Sequence, residues 1–262
     1  MSGETRASTL LLDSYLKQLR LPTIARAYAA LAREAADGNL GYVDFLTTLC
    51  EQEVRQRERN QLARRVKAAQ FPWPKTLDEF AFAAVPALNK AKILALAGGH
   101  FVRERENGVF VGNPGVGKTH LAVAIGRACC QQGYRVAFRA AATLVNELLA
   151  AQQEYRLNKF FRQWRAYDLV IIDELGYIPF SAERAQLLFQ FFSERYDRGS
   201  VLVTTNLEFA RWTEVFGDER MTAALLDRLT HRGHVVVIEG ESYRFKESLR
   251  RQIGTSDDER VV

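Results

Sequence analysis

The run Gly112-Asn113-Pro114-Gly115-Val116-Gly117-Lys118-Thr119 fits the pattern GxxxxGK[ST] at every defined position, and the chemistry of that pattern is the binding of a nucleoside triphosphate. Glycines at 112, 115 and 117 let the backbone close around a polyphosphate with its N–H groups turned inward. Lys118 brings a positive charge for the β- and γ-phosphates, and Thr119 brings a hydroxyl for Mg2+. His120 follows directly and joins the nucleotide-binding set. A second run, Leu169-Val170-Ile171-Ile172-Asp173-Glu174, ends its apolar residues in two carboxylates, the form of a buried parallel strand whose C-terminal end opens on a ligand crevice. Asp173 is expected to help hold Mg2+, and Glu174 to orient or polarise the water that attacks the γ-phosphate. The run Ser200–Asn206 also turns from apolar to polar at its end, which makes Asn206 a candidate sensor of the γ-phosphate and the attacking water. Met221–Leu229 reads as an amphipathic helix with Arg228 at its polar edge. That arginine either reaches a phosphate across a subunit boundary or sits exposed or salt-bridged.

The elements that must hold these side chains follow from the pattern. Gly108–Val111 reads as a short buried strand, and the residues from 118 as a helix whose N-terminus faces the phosphates. From 108 onward strands are expected at 108–111, 134–138, 169–173, 200–205 and 234–238, and helices at 118–132, 141–152, 182–196 and 219–230. Such alternation means an α/β fold, a mostly parallel sheet with helices on both faces. Residues 9–70 read as helices, broken at Leu21-Pro22 and turned around Asp37–Gly41. Leu12, Tyr15, Leu16 and Leu19, and Ile24, Ala27, Tyr28 and Leu31, recur at helical spacing and are expected to pack as a core. Phe71-Pro72-Trp73-Pro74 ends the last of these helices as a stiff apolar link. The expected division is an N-terminal helical domain at 1–72, a connecting segment at 73–107 with a helix near Asn89–Ala97 capped by Gly98-Gly99, an ATPase domain at 108–250, and a disordered tail at 251–262.

Bulk properties narrow the partners. The net charge is +5 and the pI about 9.2, which favours an anionic macromolecule. Residues 1–75 hold 12 Lys and Arg against 8 Asp and Glu, so nearly the whole excess lies in the N-terminal third. There Arg55, Arg57, Arg59, Arg64, Arg65 and Lys67 crowd into little more than three turns of a long helix expected over 42–70. The cluster suits nucleic-acid phosphates; a solvated face partly neutralised by Glu51, Glu53 and Glu58 is the other reading. Arg156, Lys159, Arg162 and Arg165 form a second basic stripe, either solvated or in contact with DNA or a neighbouring subunit. Phosphate contact carries no base information, so sequence-specific reading of DNA is not implied. Cys50, Cys129 and Cys130 show no CxxC spacing and are expected to be reduced, buried thiols, and His231 and His234 lack a third metal ligand. No apolar run approaches the roughly 18 residues of a membrane span, and residues 1–10 lack the architecture of a signal peptide. A cytoplasmic protein is expected.

The order of phosphate loop, Asp-Glu strand, Asn-tipped strand and arginine-bearing helix resembles the AAA+ ATPases. Gly112–Thr119 followed by His120-Leu121-Ala122, then Asp173-Glu174-Leu175-Gly176-Tyr177-Ile178-Pro179, Thr204-Thr205-Asn206-Leu207, Asp227-Arg228-Leu229 and Ser242-Tyr243-Arg244 are similar to the IstB family, ATPase helpers of insertion-sequence transposases. The resemblance covers nearly the whole chain and implies an AAA+ core that binds ATP and Mg2+. It also implies duplex-DNA binding in the ATP state, self-assembly into a homo-oligomer on DNA, and delivery of target DNA to an IstA-like transposase. Under it Lys118 and Thr119 bind nucleotide and magnesium, Asp173 and Glu174 support hydrolysis, Asn206 is the first sensor, Arg228 a finger acting in trans and Arg244 a second cation near the phosphates. No full helical lid is expected after Gly240. Two other readings remain open on the same core. One is a helicase loader related to DnaC, and the other is a nucleotide-gated DNA scaffold without hydrolysis, against which Glu174 stands.

Overall fold

The computed structural model describes residues 3–177 and 179–243, with side chains from Ala7 onward. Arg244 and the tail at 251–262 lie outside the described residues. The chain divides into two compact units between Arg64 and Arg65.

The first unit holds α1 (Gly3–Gln18), α2 (Pro22–Asp37) and most of α3 (Tyr42–Ala69). Pro22 opens α2 at its first turn, where the missing N–H costs nothing. Leu16, Ile24 and Leu49, one from each helix, form its buried centre, with Ala27, Tyr28, Leu31 and Phe45 packed around them. Leu12, Tyr15 and Leu19, expected in the core, are instead exposed, because three short apolar stripes meeting at one point bury only the innermost position of each. Glu53 is buried on α3 and accepts from the backbone N–H groups of Thr23 and Ile24 at 2.8 and 3.2 Å. It therefore caps α2 from another helix, since Leu21 at the cap position has no side-chain oxygen to offer. Cys50, expected to be buried, is exposed because its neighbour Leu49 takes the inward position.

In the second unit a short 3₁₀ turn (Phe82–Ala84), α4 (Lys90–Ala97) and α5 (His100–Arg103) precede the sheet. Asn89 caps α4 by accepting from Lys92 N at 3.0 Å. Then follow β1 (Asn107–Gly112), α6 (Lys118–Gln131), β2 (Val136–Ala140), α7 (Ala141–Gln153), α8 (Leu157–Trp164), β3 (Leu169–Leu175), α9 (Ala182–Arg195), β4 (Ser200–Thr205), α10 (Thr213–Phe216), α11 (Glu219–Thr230) and β5 (Gly233–Ile238). The five strands form one sheet in the order β2-β3-β4-β1-β5, every pair parallel. The expected alternation of strands and helices is thus observed, with α8 and α10 as helices the pattern did not give. β2 starts two residues later than expected because the amides of Tyr134 and Arg135 bond to Cys129 O and Asp168 Oδ2 at 3.1 and 2.7 Å instead of entering the ladder.

Alternation along each strand sorts the core. Val109, Val111, Val170, Ile172, Val201 and Val203 pack with α7, α9 and α11 through Leu144, Leu148, Leu188, Phe191 and Leu225. The helix α6 is buried at Leu121, Ala122, Val123, Ala124 and Ile125 in succession, as a helix enclosed on all sides must be. Each Leu, Val or Ile so buried contributes about 1.5–3 kcal/mol. Gly126 lets α6 close on the sheet, since a Cβ there would stand 2.6 Å from Ile171 Cδ1 and 2.9 Å from Phe71 Cε1. Arg195 is buried and donates to the carbonyls of Trp164, Tyr167 and Ser200. Burial pushes its guanidinium down to about 10. It ties α9 to the starts of β3 and β4.

Candidate functional site

The strand order decides where the chemistry gathers. β4 lies between β3 and β1, so the C-terminal ends of β1, β3 and β4 bring the phosphate loop, the carboxylate pair and Asn206 to one crevice. A cavity of about 650 Å³ opens there, lined by Pro114–His120, Glu174, Tyr177, Thr204, Asn206 and Tyr243, and by Trp73, Lys75, Glu79, Phe80, Ala81, Ala84 and Val85.

The loop has the backbone its sequence implies. Gly115 and Gly117 stand at φ 83° and 99°, the left-handed region that side chains resist. Lys118 Nζ donates to the carbonyls of Gly112 and Asn113 at 2.7 and 2.8 Å, so these two residues hold the lysine rather than line the cavity. Pro114 through His120 line it. His120 Nε2 lies 2.8 Å from the Thr76 carbonyl; since a carbonyl only accepts, that nitrogen carries the proton. The Phe80 ring stands edge-on to His120 at 5.2 Å and covers Gly117, where a Cβ would come within 2.7 Å of Phe80 Cε2. Tyr243 N donates to Gly115 O at 3.0 Å.

Asp173 is 6% exposed and its Oδ1 accepts from Thr119 Oγ1 at 2.9 Å and from Thr204 Oγ1 at 2.5 Å. Burial raises its carboxyl above the ordinary aspartate value. The Thr204 and Thr119 hydroxyls and Lys118 pull it down, and Glu174 adds to the rise. Hard oxygens from Asp173 and Thr119, set this close beside the loop, fit Mg2+. Glu174 is exposed into the same cavity. It reaches it through a bulge: Ile172 pairs with Val203 but Leu175 with Thr205, one extra residue on β3. Glu174 takes φ 59°, at a cost of about 1–3 kcal/mol for a residue other than glycine. Its N–H, out of the ladder, donates to Thr204 Oγ1 at 3.0 Å.

Sequence reasoning passed over Thr204 and the wall from Trp73 to Val85. The polar end of the Ser200–Asn206 run signals the former. The wall leaves only the weak trace of aromatic residues in a stretch without strands. Arg228 lies on α11 outside the cavity, its guanidinium 4.8 Å from the Phe189 ring centre and donating to Ser193 Oγ at 2.5 Å. Of the N-terminal cluster, Arg55 pairs with Glu51 at 3.0 Å and Arg57 with Glu53 at 2.9 Å. Arg59, Arg64 and Lys67 are exposed, and Arg65 is half-buried beside Gly133. At 100° per residue Arg55 and Arg59 share one face of α3, and Arg57 and Arg64 the opposite one, so the cluster is not a single stripe. In the second stripe Arg156 pairs with Glu154 and Arg165 with Glu194. Among the described residues no three His, Cys, Asp or Glu gather as a metal cluster, and no helix is long and apolar enough to cross a membrane.

Residues 14–251 match the family of the IstB-like ATP binding protein. The chain belongs to that family. It is 38% identical over 256 residues to a relative from Pseudomonas aeruginosa named as an ATP-binding protein of insertion sequence IS21, covering 95% of this chain and 97% of that one. A Geobacillus stearothermophilus relative, named likewise for insertion sequence IS5376, is 36% identical over 90% of this chain and 94% of its own length. Among solved structures the fold is similar to AMPPCP-bound DnaA from Aquifex aeolicus, with a TM-score of 0.56, 20% identity and coverage of 70% of this chain and 56% of that one. DnaA bound to AMPPCP and single-stranded DNA gives 0.55, 21%, 70% and 56%. The chain is therefore an IstB-like ATP-binding protein, and its five-stranded parallel sheet has a fold similar to that of DnaA.

Proposed function

We propose that the chain is a Mg2+-dependent ATPase that binds duplex DNA in its ATP state, self-assembles on it, and helps the transposase of its insertion sequence select and deliver target DNA. The observation that carries the hydrolytic part is the meeting of Lys118, Thr119, Asp173 and Glu174 at one crevice, with Asp173 joined to Thr119 by a 2.9 Å hydrogen bond. The loop amides and Lys118 bind and neutralise the phosphates, Thr119 and Asp173 hold Mg2+, and Glu174 orients a water for in-line attack with Asn206 beside it. When bound, the cation neutralises charge developing on the phosphate oxygens. Arg228 completes a neighbour's site, and Arg244 is a second cation toward the phosphates.

The transposition part rests on the relatives, which are named for insertion sequences. DNA contact rests on the exposed cations of α3, Arg59, Arg64 and Lys67 above all, since Arg55 and Arg57 share their charge with glutamates. The test is binding of the full chain to labelled duplex and single-stranded DNA at fixed salt with ATP, ADP or no nucleotide, alongside phosphate release. Tight duplex binding with ATP alone and hydrolysis stimulated by DNA support the proposal. Preference for single strands, or binding indifferent to nucleotide, contradicts it.

A further inference from the structure

One buried hydroxyl joins the Asp173 carboxylate to the Glu174 backbone, two parts that the proposed chemistry needs. Thr204 is fully buried near the end of β4, the strand that separates β3 from β1. Its Oγ1 donates to Asp173 Oδ1 at 2.5 Å and accepts from Glu174 N at 3.0 Å. We infer that Thr204 is a positioning residue for ATP hydrolysis, one hydroxyl that fixes the metal-holding carboxylate of Asp173 and the bulged backbone of Glu174 in a common geometry. The inference rests on the reading of the crevice as an ATPase site and assigns a role that the loop, the carboxylates and Asn206 do not fill.

The geometry is specific to a hydroxyl. A threonine Oγ1 has one proton to give and lone pairs to receive, and here both capacities are used at once. The donated proton orients the Asp173 oxygen that also accepts from Thr119, so the three side chains form one connected chain of hydrogen bonds from β4 through β3 to the phosphate loop. The accepted bond supplies a partner for an amide that the extra residue in β3 has taken out of the ladder. Without that acceptor, a buried or half-buried N–H is left unmatched, and Glu174 loses a tether that holds it at φ 59°. The adjacent Thr205, also buried, bonds instead to Leu207 N at 3.1 Å, so the two threonines are not interchangeable.

The test compares Thr204→Val and Thr204→Ser with the wild-type full chain. Valine keeps the shape and removes the hydroxyl; serine keeps the hydroxyl. Turnover in Thr204→Val should fall about 10- to 100-fold, the range for residues that orient a metal's ligands, with the KM for ATP within about twofold. Thr204→Ser should recover most of the loss, a rescue that a mere packing role would not produce. A second readout needs no turnover: the gain in affinity for a fluorescent ATP analogue on adding Mg2+ should shrink in Thr204→Val and return in Thr204→Ser. Melting temperature monitors the fold. If Thr204→Val fails to fold, serine carries the test, because it must then keep near wild-type turnover and Mg2+ gain. Wild-type rates in folded Thr204→Val, or a folded Thr204→Ser as slow as valine, would overturn the inference while leaving the ATPase reading intact. Absence of turnover in the wild-type chain would sink the ATPase reading, and the Mg2+ gain would then decide for or against Thr204 alone.

Discussion

Glu174 differs from an ordinary strand-end carboxylate in its backbone, and that difference sets it apart from Asp173. The two are neighbours in sequence, yet Asp173 is buried against Thr119 and Thr204 while Glu174 is exposed into the crevice. Burial suits a metal-holding group and exposure suits one that meets water, so the bulge puts adjacent side chains in environments that fit the two proposed roles. Lys118 is the charge that both roles presuppose. Replacing it with alanine removes a charge-assisted hydrogen bond to phosphate worth about 1.5–3 kcal/mol, which is a loss of ATP affinity on the order of ten- to a hundredfold. Titration with a fluorescent ATP analogue measures it, and an unchanged affinity would remove the loop from the binding site. The carboxylate pair is legible in the sequence because an apolar run must stop where a strand leaves the core. The bulge is not, because one extra residue in β3 shows only against the register of β4.

At the scale of elements, the sheet and its helices are legible for the same reason. Each buried parallel strand is a largely apolar run bounded by turn residues, and α6 is apolar from Leu121 through Ile125. The short α8 is hidden in the sequence because Phe161 and Trp164, which it buries, are interleaved with Lys159 and Arg162 and flanked by Arg156 and Arg165. The segment from Trp73 to Val85 reads as a connection because it holds no strand, yet it supplies a wall of the cavity; walls made of loops carry no periodicity. In the helical unit the cap on α2 comes from Glu53, some thirty residues away in sequence, a long-range contact that no local motif announces. Burial opposes ionisation of Glu53, but the amides of Thr23 and Ile24 and the Arg57 guanidinium prevail and hold its carboxyl below the ordinary glutamate value. A depressed carboxylate adds stability above its unfolded pKa and loses it as pH falls through the folded one. The N-terminal helices should therefore loosen below about pH 4.3, and Glu53→Gln should weaken them at neutral pH by about 1–3 kcal/mol while flattening that acid dependence. Circular dichroism melts across pH 3 to 7 measure both; melts of the variant that match wild type at every pH would show that the cap contributes nothing.

At the scale of the whole molecule, the proposal asks one chain to complete its neighbour's site. Arg228 lies off its own cavity, folded over Phe189 and bonded to Ser193, as a residue acting in trans has to be off its own cavity, although an arginine with only a packing role sits there equally well. A mixture separates the two. Arg228→Ala keeps an intact loop and Lys118→Ala keeps an intact arginine, so mixing two inactive variants should restore part of the ATPase activity if the arginine acts across subunits. No recovery, with a loss of stability of about 0.5–1 kcal/mol from the missing cation–π contact, would assign it to packing. Under the proposed function, assembly on DNA joins the scales: ATP held in the crevice would stabilise the DNA-bound state, and hydrolysis supported by Glu174 would end it. The most direct measurement of that claim is the dissociation rate of the full chain from duplex DNA in ATP and Mg2+, wild type against Glu174→Gln. Loss of the carboxylate should slow turnover by about 10²-fold or more with ATP still bound, and the variant should remain on DNA correspondingly longer. Equal residence times for the two proteins would contradict the account.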